Sequence, residues 1–257
     1  MSMKLYLKLV SQSFQELISY RLTATLISIF GLVFFTAEIV AGLVYYSVAD
    51  DLFGLTRIEY MILIASATTM SYLYQTLFIS SHENLAETII EGELDYALIR
   101  PVNSFLYYSL YRIDFPSMIN LFISIVLQVY LLKDYSISFT NVLLYICLIL
   151  LGANLIFLLN QIIITLSFWI EKSQKLMAVP EYLVDFSMRP KNIYPKAIRV
   201  ALFYIVPILL ATNAPVLLIK HQLSTVNLLV LIISNILLAC LALKMWKEGL
   251  KKYSSSN

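Results

Sequence analysis

The chain has 257 residues, 60% hydrophobic and only 13% charged, with a mean hydropathy of +0.81. Soluble domains carry about 25% charged residues, so an ordinary soluble fold is excluded. A net charge of +2 says little by itself, its distribution matters more, and no nucleic-acid partner is expected.

Residues 1–21 place Met3, Leu7, Val10, Phe14, Leu17 and Ile18 on one helical face, with Lys4, Lys8, Ser11, Gln12, Gln15 and Glu16 on the other. That pattern predicts an interfacial helix lying on a membrane surface. No small-residue cleavage site follows it, so no removable signal peptide is expected. A hydrocarbon core about 30 Å thick needs roughly 20 apolar residues per helix. Six uncharged or nearly uncharged runs meet that length and predict spans at 22–48, 60–81, 104–132, 139–170, 198–219 and 226–246. The runs are continuous rather than alternating, which selects helices over barrel strands. The predicted fold is therefore an all-α membrane protein.

In the first span, Gly31 and Gly42 permit close helix contact. Glu38 lies within it, and an ionisable group at that depth must face protein or water. It is a candidate for the translocation pathway or, equally, a carboxyl paired in a helix interface. The second span leads into the most acidic stretch of the chain, SSHENLAETIIEGELDYALIRP at 80–101. Ser80 followed by Glu83 reads as a capping box that starts a helix there. Gly92 suits a left-handed helix end, and Pro101 forbids continuation. Glu83, Glu87 and Glu91 recur every four residues and share a face, repelling one another. Leu85 and Ile89 make the opposing apolar stripe. Either a solvated loop helix or a docking element for a basic partner fits this pattern.

Tyr107, Tyr108 and Tyr111 are expected at aromatic-belt level, with a kink at Pro116 inside a single helix over 104–132. The uncharged stretch 135–170 measures about 54 Å as helix and has no turn signal, so one helix is expected. Asn154, Asn160 and Gln161 give it a polar stripe suited to helix contacts or to lining a pathway. Residues 171–199 are basic, and Pro207 and Pro215 predict a bent or re-entrant piece in the next span. Six spans put both termini on one side. Fifteen Lys and Arg then lie on that side against three on the other, a positive-inside bias that makes the termini cytoplasmic. Arg100-Pro-Val-Asn103 and Arg189-Pro-Lys-Asn192 echo one another, both expected on the cytoplasmic side.

Sites for chemistry are missing. The six glycines form neither GxxxxGK[ST] nor GxGxxG, and neither HExxH nor CxxC occurs. His82 and His221 fall on opposite faces of the predicted topology. Cys147 and Cys240 lie in apolar runs and read as packing residues. No catalytic residue and no metal site is expected, and any driving energy must come from a partner. A membrane-embedded enzyme is one alternative; an ATP-independent channel or sensor anchor is another.

The amphipathic first helix, six spans with both ends inside, and the charged helix between the second and third spans together resemble the type-2 ABC exporter permeases. EGELDYALIRPVN (91–103) is similar to the G-x-L-D-x-x-L-x-R-P pattern of one bacterial subfamily. SFW at 167–169, RPKNIYPKAIR at 189–199 and the terminal GLKKYSSSN are also similar to it. The resemblance implies that 82–101 holds a coupling helix, with Glu83, Asn84, Glu87, Glu91, Gly92, Leu94, Asp95, Arg100 and Pro101 as ATPase-coupling residues. It further implies a separate ABC ATPase subunit dimer that binds ATP and Mg, and a second permease chain, identical or a sister. A multi-pass location in a bacterial cytoplasmic membrane follows. The cargo is not specified: peptides, antibiotics or other drugs, and lipid-like compounds all fit.

Overall fold

The computed structural model describes residues 3–48, 51–52, 54–99, 101–170, 176 and 178–253. At its centre is helix α3 (Arg57–Tyr74). The run Ala65-Ser66-Ala67-Thr68-Thr69 carries only small side chains, which lets neighbouring helices approach closely. Ile62, Leu63, Ile64, Ala65 and Ala67 are fully buried. The hydroxyls are satisfied within the helix: Ser66 Oγ donates to the Ile62 carbonyl and Thr69 Oγ1 to the Ala65 carbonyl, each at 2.7 Å. Packed around α3 are α2 (Arg21–Tyr45), α7 (Phe115–Leu132), α8 (Phe139–Thr165) and α11 (Ile208–Ile219). A two-stranded hairpin, β1 (Asp51–Leu52) and β2 (Leu55–Thr56), precedes α3, with Asp51 opposite Thr56 and Leu52 opposite Leu55. Its face of the bundle is called the hairpin face below. The opposite one, which carries α1 (Met3–Ser19) and the end of α12 (Thr225–Leu250), is the terminal face.

The capping box sits where α3 begins. Thr56 N–H donates to the Glu59 carboxylate at 2.8 Å, and Glu59 N–H donates to Thr56 Oγ1 at 3.4 Å. The expected helix start at Ser80 is not found. Instead α3 widens into a π-turn over Gln75–Ile79 and runs on as α4 (Ser80–Ile90), 34 residues in all. The widened turn frees the Thr76 carbonyl, which accepts the Asp114 N–H at 2.9 Å. Ser80 Oγ donates to Asp114 Oδ1 at 3.4 Å rather than capping anything. At 1.5 Å per residue the rod is about 51 Å long, well beyond a hydrocarbon core of about 30 Å. Its last turns lie on the terminal side, packed against neighbouring elements.

The single helix expected over 104–132 is two. Between α6 (Ser104–Ser109) and α7 the chain is irregular, and Asp114 caps α7 by accepting the Ser117 N–H at 2.9 Å. Pro116 lies in the first turn of α7, where its missing N–H costs nothing, so it begins a helix instead of kinking one. Tyr107 and Tyr108 are buried against α4 rather than set in a lipid-facing belt. Helix α8 is unbroken. On α1, Met3, Leu7, Phe14 and Ile18 stay exposed while Leu9 and Ser13 turn inward.

The stretch 171–219 departs most from expectation. Helix α9 (Ala178–Ser187) packs against α8 and α11, and the Ser187 carbonyl accepts Thr212 Oγ1 at 2.8 Å. The next residues continue toward the hairpin face. Lys191 N–H donates to Asn213 Oδ1 at 3.2 Å, and Lys191 and Asn192 line a cavity with Gly54 and Lys220. A helical piece over Lys196–Ile205, ending in a π-turn, then meets α11 at 86°. Val206 and Pro207 form the break. The crossing that ends at Ile219 is thus a bent pair, with a polar excursion before it. Arg189, Lys191 and Arg199 leave the terminal face for the other half of the bundle, and Lys196 lies on the same short helix as Arg199, so four of the basic residues expected on the terminal face are not there. The two Arg-Pro-x-Asn tetrads accordingly lie at opposite ends: Asn103 caps α6 near the terminal face, and Asn192 lies beside the hairpin. Lys172 and Lys175 lie outside the described residues. Among the described residues five helices are long and apolar enough to span a bilayer, and the bent pair makes six.

Candidate coupling site and charged core

Helix α4 presents two unlike faces. Leu85, Ala86 and Ile89 are buried in a cluster with Leu9 of α1, Tyr107 and Tyr108 of α6, Ile164 of α8 and Trp246 of α12. Glu83, Glu87 and Glu91 point outward and are exposed. Four elements thus hold the helix from behind while its carboxylates project from the terminal face. Asn84 is half-buried; its Nδ2 donates to the Ser80 carbonyl. It lines a cavity of about 360 Å³ with Ser81, Thr88, Glu93, Tyr111 and Arg112.

Past α4, Gly92 takes φ +73°, a left-handed value that glycine adopts without strain. Leu94 is fully buried, and Asp95 opens the short helix α5 (Asp95–Leu98). Tyrosines from two distant segments fix the turn. Tyr108 Oη donates to the Leu94 carbonyl at 3.1 Å, while Tyr253 Oη accepts the Leu94 N–H at 3.0 Å and donates to the Gly92 carbonyl. Burial, with the Asp95 charge adding to it, raises the Tyr253 phenol above its ordinary range, so it keeps the proton that it donates. Pro101 is exposed, and Arg100 lies outside the described residues.

The side chains expected along a pathway each meet a partner within the bundle. Asn154 Nδ2 donates to Asn235 Oδ1 of α12 at 2.9 Å, joining two helices. Asn160 Nδ2 returns to the Ile156 carbonyl of its own helix at 3.0 Å. Gln161 belongs to a buried network on the terminal side. His82 Nε2 lies 3.1 Å from its Oε1, Ser109 Oγ donates to the same oxygen at 3.2 Å, and His82 Nδ1 lies 3.0 Å from the Tyr74 hydroxyl. The expected stripe is three separate anchors, each satisfied by a different partner.

Glu38 is paired. Arg189 Nη1 donates to its Oε2 at 2.6 Å and Nη2 to its Oε1 at 3.2 Å, a two-pronged bond. Nη1 also donates to Tyr60 Oη at 3.2 Å. The pair ties α2 to the polar excursion in the half of the bundle nearer the hairpin. Nearer still to the hairpin face, Lys220 Nζ donates to Glu59 at 2.7 Å and to the Gly54 carbonyl at 3.0 Å.

Sequence reasoning missed Arg189 as the partner of Glu38, and it missed Tyr60, Tyr108, Tyr253 and the His82 network. The signal for Arg189 was present in principle, since a carboxylate within an apolar run calls for a cation. Nothing in the spacing pointed across 151 residues to the one that answers it.

Five helices long and apolar enough to span a bilayer among the described residues, and six with the bent pair, define a multi-pass membrane protein. The family model for the ABC-2 family transporter protein matches residues 32–257, and the chain belongs to that family. It is a type-2 permease, the membrane transport component of an ABC transporter. Neither the curated proteins nor the solved structures contain a match to the chain.

Proposed function

We propose that the chain is the permease subunit of an ATP-driven exporter of a bacterial cytoplasmic membrane, with both termini cytoplasmic and with the outward face of α4 as the docking surface of a separate ABC ATPase. The observation that carries this reading is the two-faced build of α4. Glu83, Glu87 and Glu91 project unpaired by any cation among the described residues, while Leu85, Ala86 and Ile89 lock the helix to four other elements. A basic groove on a partner would relieve the repulsion among the three carboxylates. Because α4 continues α3, a push on it is delivered to the core through one rod. The π-turn at Gln75–Ile79 is the place where that rod can yield.

ATP and Mg are bound by the ATPase dimer, and two permease chains, identical or paired with a sister, enclose the pathway. The cargo is a peptide, a drug or a lipid-like molecule. The lysines of α1 and of the end of α12 lie at the terminal face, which suits a cytoplasmic position for it. Copurification of the chain with an ABC ATPase, followed by hydrolysis measured with and without the chain, tests the reading. Stimulated hydrolysis supports it; an ATPase that ignores the chain overturns it.

A further inference from the structure

Two ion pairs lie in the half of the bundle nearer the hairpin. Arg189 answers Glu38, and Lys220 answers Glu59. Lys191 and Arg199 are different: neither meets a carboxylate among the described residues, and the charge that acts on Lys191 is the like charge of Arg199. Both line one cavity of about 240 Å³ with Asn192, Val200, Phe203 and Tyr204. Two cations held together without an anion are costly in a membrane domain, so a fixed arrangement of this kind needs its counter-ion from outside the chain.

The arrangement is fixed. Lys191 N–H is held by Asn213, and its ammonium lies 5.6 Å from the centre of the buried Phe203 ring. The Arg199 guanidinium donates to Asn192 Oδ1 at 3.5 Å, with its remaining donors free for a second acceptor. Val200 and Tyr204, which line the cavity, are 42% and 50% accessible and give it an apolar rim. A cation pair beside an apolar rim has the two parts that a phospholipid requires: donors for the phosphate and a wall for the acyl chains.

We propose that Lys191 and Arg199 hold the phosphate head of an anionic membrane phospholipid, with its chains along Val200 and Tyr204. The bound lipid neutralises the polar excursion and steadies the break between the Lys196–Ile205 piece and α11. This site depends only on the chain spanning a membrane. Loss of ATPase coupling would leave it standing, and loss of the site would leave the docking role of α4 standing.

The full chain, purified in mild detergent and given equimolar phosphatidylglycerol and phosphatidylcholine with the same acyl chains, is read by native mass spectrometry. Wild type retains phosphatidylglycerol over phosphatidylcholine by about tenfold, the effect of one charge-assisted contact. Lys191→Gln with Arg199→Gln brings the two lipids to parity, and each single change removes part of the preference. Lys191→Arg keeps it. Lys220→Gln also keeps it, because that ammonium is already taken by Glu59. A melting curve confirms that each variant is folded. The proposal is overturned if the double variant still prefers phosphatidylglycerol. It is equally overturned if Lys220→Gln abolishes the preference as fully, or if sodium phosphate at the lipid's own concentration displaces the lipid, which would show an anion read without its chains.

Discussion

Tyr253 and Gly92, 161 residues apart, are in direct contact: the phenol donates to the Gly92 carbonyl and accepts the Leu94 N–H at 3.0 Å. Tyr253 thereby closes the turn that ends α4. Tyr253→Phe removes one hydroxyl and leaves two backbone groups without that partner. A cost of about 1–2 kcal/mol is expected, confined to the turn. Hydrogen exchange at the Leu94 amide should quicken by about tenfold, with exchange in α3 unchanged. Unaltered exchange at Leu94 would show that the clasp holds nothing.

Glu38 and Arg189 form the second long-range tie. Changing either alone leaves a half-buried charge without its partner, whereas changing both to neutral residues of similar size removes the charge and the need for it. Glu38→Gln and Arg189→Met should each lower the melting temperature more than the pair together. The coupling between them should be about 1–3 kcal/mol. Strictly additive losses in the double-mutant cycle would deny the bond any energetic weight.

Two glycines sit against bulky neighbours with different capacities to move. A Cβ at Gly249 would lie 2.2 Å from Cδ2 of Phe168, a ring packed edge-on to Trp246 at 5.5 Å. One at Gly152 would lie 2.3 Å from Sδ of Met70, a flexible thioether. Gly249→Ala should therefore destabilise by about 1–3 kcal/mol, and Gly152→Ala by less, despite the nearly equal overlap. Thermal unfolding of the two variants side by side decides it, and the reverse order would contradict the packing account.

Gln161 accepts from both His82 and Ser109 in a fully buried setting. Gln161→Leu keeps the volume but strands the donor of the imidazole, at a cost of about 1–3 kcal/mol. Asn160→Leu only releases a carbonyl of its own helix and should cost clearly less. Equal losses in thermal stability would mean that the His82 network is dispensable.

The sequence made some of this legible and hid the rest for identifiable reasons. Length and apolar continuity are local properties, and they located α2, α8 and α12 directly. Gly92 was legible because a left-handed turn leaves a residue-type signature, and the Leu85–Ile89 stripe because one face of α4 is buried. The start of α4 was misread: Ser80 has the right spacing to Glu83, but the rod from α3 arrives already helical, and a π-turn has no composition of its own. Arg189, Lys191 and Arg199 were assigned to the terminal face because charge counting takes a basic run as solvent-exposed. Here that run folds back toward the hairpin, paired at Arg189 by a carboxylate far away in the chain. Asn154, Asn160 and Gln161 looked like one stripe because spacing records which face a side chain leaves from, not which helix meets it.

The account stands most directly on the outward carboxylates of α4. Reversing Glu83, Glu87 and Glu91 to Lys changes an exposed face and leaves Leu85, Ala86 and Ile89 in place, so the membrane part keeps its thermal stability. With the ATPase copurified and reconstituted, the account predicts that the triple variant no longer stimulates hydrolysis. Stimulation at the wild-type level, from a folded triple variant, would contradict it.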